Sequence, residues 1–585
     1  MKKQTVILFL TIVILLPFLS QAQNWSTFGG TNTRSGNSEI TGPSSISTPF
    51  WQISNASNTL LGEQVYTFGD LFVNSRVAGG FASVKIECRS LQTGALVWTS
   101  PFIASNSKLY CMGFSEDAVY ACDYATDSVY ALNVADGSIK WVGEVTSLSY
   151  GARESVVFAC NGDIVLNGPG FGGPTTMRLN KDTGKLVWGN DELYAVSPVS
   201  ALTLMGDKVY RITGAINQPI RLAAFDVHTG LSSYFSDPLP GDGDQENQLF
   251  MDDQSALYFW RDNGFLYSFS DNGTQLKENW HYVSSASPPT GSNNSRIAVG
   301  NDRHIYAFDD GKVIRLNHED GSLMNISSVN IAGGSITIGA DSTVYVSNES
   351  NAFYAFTYDL QTVIWQYNMN NNAFGNTLLA KDGIMVMTGA GSTIKAFKPD
   401  INRKPVADFR ASGRKTGIGE PVNFYDQSSF NPESWQWSFE GADIAVSADQ
   451  NPVGITYSNA GIYEVNLVTS NAFGSDDATK TCYIEVVDNG VGIFPANTSI
   501  TQLKLYPNPA NATTTVSYYL KTAGNVELII FNHNGQTVSK INRYLIETGI
   551  QLIELQVHGL PSGIYLIQIK TEDGGSAIAK LLISR

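Results

Sequence analysis

SLQTGALVW at residues 90–98, LNVADGSIKW at 132–141, LNKDTGKLVW at 179–188 and FDVHTGLSSY at 225–234 are one phrase written four times. Each is an alternating strand, a tight turn, and an aromatic residue four places past the turn glycine. Three worn copies follow: SDNGTQLKENW ending at Trp280, NHEDGSLMN ending at Asn325 and YDLQTVIW ending at Trp365. The turn glycines Gly94, Gly137, Gly184, Gly230, Gly273 and Gly321 recur at about 45 residues, the length of one four-stranded propeller blade.

A blade needs strands a, b, c and d in order, and the phrase supplies c, the c–d turn and d. Candidate b strands lie upstream as DLFVNS, AVYACD, DIVLNG, KVYRIT, ALYFWR, HIYAFD, TVYVSN and IMVMTG. These are eight b strands against seven d strands, because STIKAFK, ending at Lys398, runs into Pro399 with no aromatic strand after it. TPFWQIS around Trp51 has no blade of its own, and closing the ring with it removes both free sheet edges. The fold class expected is all-β: an eight-bladed propeller over residues 24–400, with seven blades as the alternative, followed by two small β-sandwiches.

Composition agrees with several packed cores: 585 residues, 43% hydrophobic and 15% charged. Lys plus Arg of 37 against Asp plus Glu of 53 gives a net charge of −16, a field that repels phosphate backbones and anionic membrane surfaces. No nucleic-acid partner is expected. Met1-Lys2-Lys3, the apolar run Thr5 to Leu19 and Ser20-Gln21-Ala22 have the form of a signal peptide over 1–22, with the mature chain starting at Gln23. No cysteine follows that cleavage point, which argues against a lipid anchor there, and no later run is long enough for a transmembrane helix.

The five cysteines are compatible with disulfides in an exported protein. A two-residue turn at Glu116-Asp117 sets Cys111 opposite Cys122 on paired strands, a disulfide candidate; two small buried hydrophobes are the other reading. The repeated tryptophans, fixed in strand d of each blade, are expected to wedge between blades and not to stack a ligand.

The phrases resemble the pyrroloquinoline-quinone-type propeller repeat, D-x-x-T-G-K-x-x-W, and NWSTFGGTNTRSG, Asn24 through Gly36, resembles that superfamily's entry segment. The resemblance implies the fold over 24–400. Quinone dehydrogenases of the superfamily use an adjacent cysteine pair, a tryptophan floor and calcium ligands; Cys88, Cys111, Cys122, Cys160 and Cys482 are never adjacent, so no quinone cofactor is expected. Residues 404–488 resemble the polycystic-kidney-disease (PKD) module, an Ig-like β-sandwich, through Pro405-Val406-Ala407, Val422-Asn423-Phe424, Trp435–Phe439 and Gly461-Ile462-Tyr463. Such modules act as spacers or as carbohydrate or protein contacts; Trp435 and Trp437 share one face at period two and are expected in the core.

A polar linker over 489–500 leads to residues 501–585, which resemble the C-terminal sorting domain of the type IX secretion system of certain Gram-negative bacteria. The carriers are Tyr506-Pro507-Asn508-Pro509, Leu560-Pro561-Ser562-Gly563-Ile564-Tyr565 and Lys580. The resemblance implies Sec export, passage across the outer membrane by the type IX machinery, removal of the domain, and anchoring to surface lipopolysaccharide or release.

Candidate binding residues cluster by topology. Asp242, Asp244 and Glu246 alternate in a glycine-rich loop and could converge oxygens on calcium, though a solvated loop has the same composition. That d–a loop lies on the face of the long b–c loops at 77–82, 167–174 and 214–219, beside Arg76, Arg211, Trp260 and Arg261 at the upper ends of b strands. Hydrolase, zinc and phosphate-loop motifs are missing, and the six histidines have no ligand spacing. The expected function is a secreted or cell-surface binding or scaffold protein with a glycan or protein ligand. The alternative is a secreted enzyme acting on polysaccharide or protein with its site in the propeller mouth.

Overall fold

The computed structural model describes residues 24, 26–27, 30–54, 60–78, 83–101, 109–123, 128–143, 156–167, 175–190, 201–214, 219–240, 248–261, 264–285, 296–331, 333–348, 352–369, 376–388, 393–399, 402–487, 500–520, 523–532, 536–546, 548–572 and 576–584. The signal-peptide segment and almost all of the polar linker lie outside them. The chain forms two compact units, Met1–Val486 and Val487–Arg585.

The first unit contains eight four-stranded antiparallel sheets, numbered here as blades 1 to 8. They occupy residues 60–99, 109–143, 157–190, 203–235, 250–283, 297–326, 336–368 and 376–397, the last completed by Trp51–Ser54. Trp51 pairs with Ala396 and Ile53 with Ile394, so the leading strand supplies the missing d strand. Each sheet is apolar on both faces, and one hydrophobic cluster fills every junction from blade 1/2 round to blade 8/1.

The aromatic of strand d explains the repeat. The indole N–H groups of Trp51, Trp98, Trp141, Trp188, Trp280 and Trp365 donate to the carbonyls of Leu91, Val134, Lys181, Val227, His318 and Pro43 at 2.7–3.0 Å. In the first five the acceptor belongs to the c–d turn of the following blade. The ring covers that turn's glycine: Gly184 has φ +67°, and a Cβ there would stand 2.4 Å from Cε3 of Trp141. Turn and aromatic are therefore one device, glycine admitting the close approach of the ring.

Blade 2 overturns the Cys111–Cys122 disulfide candidate and agrees with the other reading, two small buried side chains. A β-bulge at Met112 shifts the register by one residue, so Cys111 faces Ala121 and Cys122 faces Tyr110. The two thiols enter different inter-blade clusters, and both are buried outside any disulfide. Burial pushes the Cys88 thiol up to about 12 and raises Cys111 as well, which leaves both unreactive.

The disulfide joins Cys160, in the a–b turn of blade 3, to Cys482 of the PKD-like sandwich, with Cα atoms 5.9 Å apart. Cys482 reaches out because the strand Gly474–Val487 bulges: Tyr463 pairs with Ile484 but Val465 with Lys480, and Cys482 takes φ +51°. Beside it, Arg414 of the sandwich lies 3.3 Å from Glu116 and 3.5 Å from Asp117, and donates to the Cys160 carbonyl at 2.5 Å. The Tyr483 hydroxyl donates to Glu116 at 2.8 Å. Burial raises the Glu116 carboxyl above its ordinary range, with Arg414 opposing.

A second contact sits at blades 8 and 1. Asp382 N–H donates to Ser429 Oγ at 2.7 Å, Phe430 N–H to Asp382 at 3.2 Å, and Asn24 bridges Gly69 N–H to Asp408. Ile40, Val406 and Phe430 form an apolar contact. The sandwich, expected as a spacer, is thus fixed to the a–b turns of blades 8, 1, 2 and 3. Its core holds Trp437, fully buried, with Trp435 packed against the cluster.

Residues 24–43 lace the strand-a ends together. Phe114, Leu204, Met251, Val299 and Ile338 donate their N–H groups to the carbonyls of Ser26, Asn32, Thr33, Ser35 and Gly36 in turn, and Thr27 and Asn32 donate to Val156 and Phe158. These ends lie on the a–b side of the ring, so the chain's own leading segment closes the inner rim there. Arg34, fully buried, donates to the carbonyls of Leu202 and Val156.

The second unit is a sandwich of a three-stranded sheet (Ile500–Tyr506, Thr513–Leu520, Gly549–Gln556) and a four-stranded sheet (Thr537–Ile546, Gly524–Asn532, Gly563–Thr571, Ser576–Ile583). Asn508 of the Tyr-Pro-Asn-Pro motif donates to the Lys580 carbonyl at 2.7 Å and accepts from Leu582 N–H at 2.8 Å. The motif therefore pins the last strand of the chain.

Candidate functional site

With the a–b side laced and partly covered by the sandwich, the b–c and d–a side is the mouth of the propeller. The b strands carry polar residues to it: Arg76, Asp123, Asn167, Arg211, Thr213, Arg261 and Asp309 are all buried near or at their upper ends. Asp242, Asp244 and Glu246 lie outside the described residues, as does most of the three long b–c loops.

Arg76 pairs with Glu87 at 2.8 Å, and Arg89 takes the other carboxylate oxygen at 2.9 Å. The neighbouring Asn74, 1% exposed, has no hydrogen-bond partner among the described residues for either side-chain amide atom. Arg211, in the b strand Lys208–Thr213 of blade 4, has no exposed surface. One of its nitrogens donates to the Thr175 carbonyl at 2.8 Å and to Thr176 Oγ1, while Nε and Nη2 have no partner among the described residues. No carboxylate pairs with it among the described residues, and burial pulls the guanidinium down to about 10.

Trp260 belongs to the core: it fills the blade 5/6 junction edge-on to Tyr282, with no partner for its indole N–H among the described residues. Arg261 donates to the Pro240 carbonyl at 2.5 Å and so holds the near end of the acidic loop. The four sequence-picked residues are thus buried and do not form an exposed wall. Asn74 was missed; its one signal is a polar amide directly after the apolar run Leu71–Val73 in the strand Leu71–Ala78 of blade 1.

Two other polar clusters lie on the opposite, a–b and c–d side. Tyr234 stands where other blades have tryptophan, and its hydroxyl donates to Asp271, which also accepts from Tyr210 at 2.6 Å and from Lys208 at 3.3 Å. A cleft of about 400 Å3 opens beside them, lined by Met205, Asp207, Lys208, Tyr210, Ser255, Asp271 and Gly273. The Asp271 carboxylate is saturated by these donors, which hold it below the ordinary range despite burial. In blade 6, His304 and His318, read from the sequence as lying on strands b and c of one blade, flank those strands and meet with Nδ1 atoms 3.3 Å apart. No group of three or more metal-ligating side chains occurs among the described residues.

Burial, then Arg315, lowers the His304 pKa below its ordinary 6.5. The folded state thus resists a proton that the unfolded chain accepts, so this contribution to stability is full above about 6.5 and is lost as pH falls through the depressed value. Urea unfolding between pH 7.5 and 5 should show that decline in the native chain and a flatter profile in His304→Gln; equal slopes would remove the assignment.

Three family models match successive parts of the chain. Residues 82–274 and 156–332 match the outer membrane protein assembly factor BamB model, 402–486 the PKD domain, and 504–584 the secretion system C-terminal sorting domain. Among solved structures, BamB from Moraxella catarrhalis is 12% identical at a TM-score of 0.41, covering 59% of this chain and 97% of its own. A europium-containing methanol dehydrogenase is 12% identical at 0.48, covering 64% of this chain and 91% of its own. Such likeness carries nothing about activity. Comparison with curated proteins gave no match. No helix among the described residues is long and apolar enough to cross a membrane. A repeat propeller, a PKD domain and a type IX sorting domain follow one another along this chain, and the last of them directs it through the type IX secretion machinery to the cell surface or the medium.

Proposed function

We propose that the propeller is a binding platform whose mouth takes an extracellular glycan or protein ligand, with the PKD domain bracing its opposite side. The observation that carries this reading is the asymmetry of the ring. One side is laced by residues 24–43 and buttressed by a disulfide-linked domain, while the other retains Asn74 and Arg211 as buried polar groups whose hydrogen-bonding capacity the described residues leave unused. Buried polar atoms without partners are rare and call for a reason, and a bound polar ligand is one. A rigid scaffold carrying long loops on one face is where binding commonly resides.

The secreted chain should bind in a glycan and protein-ligand array, run with and without calcium to include the loop at 240–247. Arg211→Ala should weaken the bound signal about tenfold, as expected when a buried donor to a ligand is removed. Silence across the array in both conditions, or binding indifferent to Arg211→Ala, would remove the mouth as the site.

A further inference from the structure

The outer face of the four-stranded sheet in the C-terminal sandwich is apolar where water should meet it. Ile564, Leu566, Ile578 and Leu582 are 45%, 41%, 37% and 38% exposed. Pairing makes them one patch: Ile564 lies opposite Leu582, Leu566 lies between Phe531 and Lys580, and Gln568 lies between Ile529 and Ile578. The alternate residues Leu528, Ile530, Ile567, Ile569, Leu581 and Ile583 already fill the core. Antiparallel sheets with one wet face alternate apolar-in and polar-out, and this one does not. The other sheet of the sandwich presents Thr513, Thr515, Ser517, Glu554 and Gln556 outward, and its exposed apolar residues there, Leu552, Tyr506 and Tyr519, are interspersed among these polar ones.

Charge narrows the occupant. Residues 501–585 hold seven Lys and Arg against five Asp and Glu, in a chain whose totals are 37 against 53. Lys580 is exposed within the patch, between Ile578 and Leu582 and opposite Leu566, and Lys570 is exposed at its end. A second copy docking face to face would set these lysines against their own counterparts, which opposes self-association. We propose that this face is the docking surface by which the type IX machinery reads the sorting domain, and that the reader offers an apolar surface bordered by carboxylates. The inference rests on the sorting role and adds to it the face that is read.

The test uses the full chain in a bacterium that secretes through the type IX system, measuring the share that reaches the surface or medium. The double variant Leu566→Glu/Ile578→Glu should export about tenfold less, as when anchors at the centre of an interface are lost. Leu552→Glu, a like change at a more exposed leucine on the other sheet, should export normally. Normal export of the double variant overturns the proposal, as does equal loss in Leu552→Glu. If the purified double variant melts earlier than the native chain, Lys570→Glu/Lys580→Glu, which alters no packed side chain, takes its place and must reduce export. A native chain that dimerises, with the dimer lost in the double variant and export kept, would make a second copy the occupant and overturn the proposal. Deletion of 501–585 separates the two levels: export surviving deletion removes the sorting role itself, whereas export lost on deletion but kept in the face variants removes only the docking face.

Discussion

Arg414→Ala should destabilise the propeller–PKD unit by about 3–5 kcal/mol, the usual result of removing one partner from a buried ion pair. Its side chain is 14% exposed, and the Glu116 and Asp117 carboxylates it faces are 12% and 10% exposed. Without the guanidinium, two carboxylates are left side by side in a poorly solvated seam, with Lys181 remaining on Asp117 at 3.0 Å. Lys480 is engaged with Asp408 at 2.8 Å and sits within the same seam. Chemical denaturation followed by tryptophan fluorescence reads the change. A loss below about 1 kcal/mol, the range of exposed pairs, would mean that the Cys160–Cys482 bond and the contacts at blades 8 and 1 hold the two domains without this ion pair.

Trp141→Ala should cost about 3–5 kcal/mol, the range for truncating a large buried aromatic. The indole packs with Tyr120 at the blade 2/3 junction, covers Gly184 and donates to the Lys181 carbonyl at 2.7 Å. Truncation leaves a cavity between two sheets and an unmet backbone acceptor. Thermal unfolding of the variant checks this; a shift no larger than that of an exposed substitution such as Val142→Ala would show that the ring does not depend on its radial aromatics. The same variant with Phe at 141 should recover most of the packing but not the hydrogen bond.

The parts of this architecture written in short-range patterns were legible without coordinates. The turn glycine and the aromatic four places later fix the c–d hairpin, and the surplus b strand led to Trp51 as the closing element, which pairs with Ala396. What escaped was set by single backbone irregularities. A bulge at Met112 turned Cys111 away from Cys122, and another near Cys482 sent that thiol to Cys160, 322 residues earlier. No periodicity encodes a bulge, since one extra residue leaves the pattern on either side intact. Docking of the sandwich escaped for a similar reason: Arg414, Glu116 and Asp117 each resemble ordinary surface charges until the fold brings them together. At the mouth, Arg211 and Trp260 were picked for their place at the upper ends of b strands, but position along a strand does not reveal depth, and both are buried.

The lacing by residues 24–43 has a consequence for biogenesis. The leading stretch leaves the ribosome first yet finds its partners last, because Pro43 accepts from Trp365, 322 residues downstream, and Trp51 waits for Ala396. A nascent chain holding only some of its blades has neither its clasp nor its inner thread, and must be kept from sticking through open sheet edges until synthesis is complete. Maturation of this ring is therefore a single late event, and any shortening of the reading frame before the eighth blade yields an unfastened array in place of a smaller wheel.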